Sequence, residues 1–131
     1  MMKIIFIYLD KMEVNMKIIK ISDFSNEAAS QAKGLILKSH LEELIKSNTK
    51  FSVDFNGITR FASPFFNNSF ASLALIYGFD AIESIPKLNL SEVGQLAFST
   101  SIENAKLLSK NPAFTKKISE IINDNLPKKE N

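Results

Sequence analysis

The chain has 131 residues, enough for one domain whose core needs neither disulfides nor a metal. Charged residues make up 23% and apolar ones 45%, and a net charge of +2 on scattered lysines is too weak for a nucleic-acid-binding face. Without cysteine there is no disulfide framework, thiolate metal site or cysteine nucleophile, and one histidine, His40, cannot build a histidine-rich metal site, so zinc catalysis is not expected.

The first apolar run, Ile4–Leu9, is too short to cross a bilayer and lacks a signal-peptide cleavage site. The expectation is a soluble cytoplasmic protein with no membrane or nucleic-acid partner. MKII occurs at Met2–Ile5 and again at Met16–Ile19, each copy heading a β-branched run. Ile4–Leu9 and Ile18–Ile21 read as two strands of a hairpin, or else residues 1–15 form a peripheral extension ahead of Met16. A helix follows, capped by Ser25 or Asn26 with Glu27 in its first turn. Ala29, Ala32, Ile36, Leu37, Leu41, Leu44 and Ile45 form its apolar face, and Gly34 within it predicts a close contact with the sheet.

Phe51–Phe55 reads as a buried strand and Asn56-Gly57 as the turn after it. The next helix opens at Ser63-Pro64, with Ser63 as cap, and carries Phe66, Phe70, Leu73 and Tyr77 on one stripe up to Gly78. Ile82–Leu90 is a broken extended segment, with Pro86 confining the strand to Lys87–Leu90 or to a sheet edge. Ser91-Glu92 caps a third helix that turns Val93, Leu96, Ala97, Thr100, Ala105 and Leu108 inward. Asn111-Pro112 opens a fourth helix, and Leu126–Asn131 reads as a disordered tail. Strands alternating with helices predict an α/β domain, a mixed and mostly parallel sheet packed against about four helices.

Gly34, Gly57, Gly78 and Gly94 stand alone, so neither a P-loop nor a dinucleotide fingerprint exists and no cofactor is expected. Asp54 lies at the carboxyl end of its strand, where open α/β sheets place ligands. With Asn56 and Gly57 it marks a candidate small-ligand pocket, or it simply accepts hydrogen bonds from the following turn. Ser63 leaves a hydroxyl at a helix N-terminus, where a phosphate would be stabilised, so it is a phosphorylation candidate. Arg60, Phe61, Phe65, Asn67 and Asn68 around it carry more aromatics than one buried stripe can use. An exposed Phe61 or Phe65 beside a polar rim would mark a partner-binding surface.

The stretch VDFNGITRFASPFFNNSFASL resembles the core motif of the STAS-like domain family, and FSNEAASQAKGLILKSHLEEL resembles the helix that precedes it. The similarity runs from about Met16 to Leu108, within a domain of residues 16–125, and extends more weakly to anti-sigma-factor antagonists. It implies a non-enzymatic cytoplasmic regulatory module. Antagonists of that kind bind an ATP-binding, histidine-kinase-like protein, which phosphorylates a serine matched in position by Ser63; Asp54 matches the strand-terminal acid and Gly57 the turn glycine. Where antagonists carry Asp-Ser-Ser-Gly, this chain has Phe61-Ala62-Ser63-Pro64. The alternatives are a nucleotide- or metabolite-binding domain and a phage- or defence-associated interaction protein. An exposed N-terminal strand or apolar fourth helix leaves room for a homodimer.

Overall fold

The computed structural model describes residues 16–125. The expected strand Ile4–Leu9, the 1–15 extension and the tail 126–131 lie outside the described residues. Strand β1 (Lys17–Lys20) ends one residue earlier than expected, because Ile21 enters a 3-10 turn, Ile21–Asp23, that buries its side chain completely.

Helix α1 (Gln31–Lys46) starts at Ser30, whose Oγ accepts the Lys33 N–H at 3.2 Å, and not at Ser25 or Asn26. Ala28 is held extended in an isolated parallel bridge to Phe61. Its N–H donates to the Arg60 carbonyl at 2.9 Å, and its carbonyl accepts the Ala62 N–H at 3.1 Å. A residue in such a bridge cannot join a helix. Glu27 therefore lies ahead of the helix, and its carboxylate accepts the Ala29 and Ser30 N–H groups at 2.8 and 2.9 Å. Burial pushes the Glu27 carboxyl up, but hydrogen bonds from Ser30, Ala29 and Ser25 outweigh it and hold it below the usual glutamate value.

Strand β2 (Phe51–Asp54) runs between β1 and the edge strand β3 (Lys87–Leu88), parallel to both. The sheet is thus wholly parallel among the described residues. Its register puts Ile19, Val53 and Lys87 in one row and Lys20, Asp54 and Leu88 in the next, on the opposite face. Val53 is fully buried, whereas Ile18, Lys20 and Leu88 are exposed, so among the described residues one face meets the helices and the other is largely open. Lys87 reaches the covered side by laying its Nζ 4.3 Å over the Phe98 ring and donating to the Ile85 carbonyl at 3.1 Å. Pro86 is tolerated because the edge asks only for its carbonyl, which accepts the Val53 N–H at 2.9 Å.

The helix after β2 is continuous but not uniform: α2 (Ser63–Phe66), a π-helical segment (Asn67–Ala71) and α3 (Ser72–Tyr77). Asn68 Nδ2 donates to the Pro64 carbonyl at 2.7 Å and Ser69 Oγ to the Phe65 carbonyl at 2.8 Å. These side chains occupy carbonyls that an α-helix would give to the N–H four residues on, which favours the wider turn. Phe66, Phe70 and Leu73 are buried as expected. Gly78 ends the helix at φ 104°, a conformation that favours glycine. The chain then forms a short helix, α4 (Phe79–Glu83), where the extended segment was expected to begin at Ile82.

Helix α5 (Glu92–Ser109) is capped by Ser91 as expected, its Oγ accepting the Gly94 N–H at 3.2 Å. Its inward face differs from the expected one. Gly94, Phe98, Ser101, Ile102 and Ala105 are buried, while Val93, Leu96, Thr100 and Leu108 are exposed. Phe98 sets this face by packing edge-on against Phe66 and Phe70, with centroids 5.9 and 5.4 Å away. Helix α6 (Pro112–Asn125) opens as read, with Asn111 Oδ1 accepting the Ala113 N–H at 3.0 Å.

Candidate functional site

Ser63 is the first residue of α2 and not its cap. Ala62 holds the cap position in an extended conformation, φ −154° and ψ 156°, without a side-chain hydrogen bond. The Ala28–Phe61 bridge keeps the backbone extended through Ala62, so the helix opens at Ser63, one residue earlier than a Ser63 cap would place it. Ser63 is half-buried, and its carbonyl accepts the hydroxyl of buried Ser101 at 3.4 Å. Its own hydroxyl is thus released from capping at the start of a fifteen-residue helical run, Ser63 to Tyr77.

The aromatics expected on the partner surface are inside. Phe65 is fully buried, and Phe61 is half-buried between Phe55 and Phe66, with centroids 6.2 and 6.4 Å away. Gly94 makes room for this: a Cβ there would stand 2.9 Å from the Phe61 ring and run into the Leu90 side chain. Gly34 gives the matching accommodation on α1, since a Cβ there would lie 2.5 Å from the Phe65 carbonyl oxygen. The close contact predicted for Gly34 is therefore with α2 and not with the sheet. Arg60 and Asn67 are exposed, while Asn68 is half-buried and engaged with Pro64.

What the sequence reading missed is the outer face of α5. Val93, Leu96 and Leu107 are 63%, 69% and 66% exposed and follow helical spacing with Thr100 and Glu103 between them. It lies on the outer side of α5, away from Gly94 and Ser101, through which the helix meets Phe61 and the Ser63 carbonyl. The apolar spacing was present in the sequence, but spacing does not say which of two stripes turns inward.

Asp54 joins the ends of β2 and β3. Its Oδ1 accepts the Asn89 amide at 2.8 Å and the Asn56 N–H at 2.9 Å, and the Lys20 charge lies nearby. The Asn89 and Asn56 hydrogen bonds, aided by Lys20, hold its carboxyl below the usual aspartate value. Gly57 at φ 83° and Asn89 at φ 58° complete the two bends. The carboxylate is thus committed to the turn, and neither of two surface clefts, one between the π segment, α5 and α6 and one beside β3, is lined by Asp54, Asn56 or Gly57. Among the described residues no three His, Asp or Glu side chains gather as a metal site, and no helix is long and apolar enough to cross a membrane.

No curated protein and no solved structure matches the chain. The family model for a STAS-like domain of unknown function (DUF4325) matches residues 34–95, a span that holds β2, the Asn56-Gly57 turn and every candidate residue from Asp54 to Asn68. That segment is similar to the STAS-like domain family, and the α/β fold around it, with its small parallel sheet, is consistent with a single STAS-like domain.

Proposed function

We propose that the protein is a non-enzymatic regulatory or adaptor module that docks a protein partner across Arg60–Ser63 and the outer face of α5. The observation that supports this most is the exposed apolar stripe Val93, Leu96 and Leu107 on a helix whose opposite side already fills the core. Apolar side chains gathered on one helix face beside a polar rim suit a partner surface. An ATP-binding, histidine-kinase-like regulator is the partner class that the resemblance to anti-sigma-factor antagonists suggests. Ser63 is the natural point of a phospho-switch within this reading: its hydroxyl is not spent on capping, and a phosphate there would meet the positive end of the helix.

The test is the affinity of the full chain for kinase-like ATP-binding proteins encoded near its gene. Leu96→Lys should weaken binding by about tenfold or more, as a charge placed in an apolar contact does. Ser63→Asp should differ from Ser63→Ala in affinity. Equal binding by the two serine variants removes the switch, and full binding by Leu96→Lys removes the α5 surface.

A further inference from the structure

The cleft between the π segment, α5 and α6 has a volume of about 760 Å³, within the range of small-molecule sites. One wall carries Asn67, Ala71 and Leu75, and the facing wall carries Asn104, Ala105 and Leu108. Ser101 meets the Ser63 carbonyl near the start of the 63–77 helix, and Lys106 pairs with Glu83, beyond its end, at 3.1 Å. The two helices therefore run in the same sense, and both walls pass from asparagine to leucine in that direction. The cleft has a polar end and an apolar end.

Two further observations sharpen this. The wall on the Asn67 side is the π-helical segment, and such wide turns collect at functional sites. Asn68 and Ser69 bond back to the helix, whereas Asn67 stays exposed at the cleft. Lys117 alone among the described lining residues carries a charge. It stands in the second turn of α6, which follows α5 after Lys110-Asn111, and Asn104 stands in the second turn from the end of α5.

We propose that this cleft binds a single-chain aliphatic monocarboxylate. The tail lies along Ala71, Leu75, Ala105 and Leu108, and the carboxylate meets the Lys117 ammonium with the amides of Asn67 and Asn104. This goes beyond partner docking, which uses Val93 and Leu96 on the outer face of α5; Leu107 borders both surfaces. The experiment is calorimetric titration of the full chain with hexanoate, octanoate, decanoate and decanol. Saturable one-to-one binding of the carboxylates is expected, tightening about fourfold per methylene as apolar surface is buried. Lys117→Glu should weaken decanoate by about tenfold and leave decanol unchanged. Leu108→Glu, at a half-exposed position where folding is spared, should abolish binding of both.

No saturable binding, an affinity independent of chain length, or binding untouched by Leu108→Glu overturns the proposal. Equal loss of decanoate and decanol in Lys117→Glu overturns the anion recognition. Self-association that Leu108→Glu abolishes and decanoate leaves unaltered would mean that the cleft holds a second copy of the chain, and it overturns the proposal too.

Discussion

Asp54 shows how a carboxylate at a strand's end can be spent on structure. One oxygen ties the Asn56 turn and the Asn89 bend together. Asp54→Asn should destabilise the fold by about 1 kcal/mol near neutral pH, the worth of charge-assisted bonds at a partly solvated site. Because the folded carboxyl titrates below its ordinary value, its contribution is complete above the unfolded pKa and disappears as pH falls through the folded one. Denaturant titrations of the two proteins should therefore converge in acid; a gap that stays constant down to about pH 2 would contradict this role. At Gly34 two effects oppose each other. Alanine gains about 1 kcal/mol in helix propensity, but its methyl would collide with the Phe65 carbonyl, a backbone atom that cannot step aside. Overpacking wins, and Gly34→Ala should lower stability by about 1–3 kcal/mol in chemical denaturation. A stabilised variant would show that α1 and α2 are not in this close contact.

The helices separate what local chemistry writes into a sequence from what it leaves out. Ser91 and Asn111-Pro112 were legible as helix starts because the capping oxygen and the N–H that donates to it lie within three residues. Gly57 and Gly78 were legible because only a positive φ lets the chain turn there. Ser25 and Ser63 misled because the Ala28–Phe61 bridge joins residues far apart in sequence: it holds the first segment extended past Ser25, and the second extended only as far as Ala62, so that Ser63 is already helical. The π segment was equally hidden, since it depends on where the Asn68 and Ser69 side chains point. Helix α5 was read with the right start and, Ala105 apart, largely the wrong face, because both stripes hold apolar residues at helical spacing. Its true face predicts a sharp contrast. Leu96→Lys should change unfolding free energy by less than about 0.5 kcal/mol, as surface substitutions do. Phe98→Ala should cost about 3–5 kcal/mol, since Phe98 packs on Phe66 and Phe70. Comparable losses in both variants would put Leu96 back inside.

At the scale of the molecule, one face of a small parallel sheet is covered by helices, and α5 closes the far side of the aromatic core while presenting a second apolar stripe to solvent. The strand, turn and helix order from Phe51 to Tyr77 was readable from the sequence, and so was the STAS-like resemblance that the 34–95 match supports. The proposed docking surface was only half readable. Arg60 is exposed and Ser63 half-buried, but Phe61 and Phe65 are used by the core, and exposed Val93 and Leu96 stand in their place in the proposed surface. The most direct test of the proposed partner docking is amide hydrogen exchange of the full chain, alone and with a candidate kinase-like protein added. The expected result is new protection along α5 and through Thr59–Ser63. Protection confined to β1 and the open face of the sheet, with α5 unchanged, would contradict it.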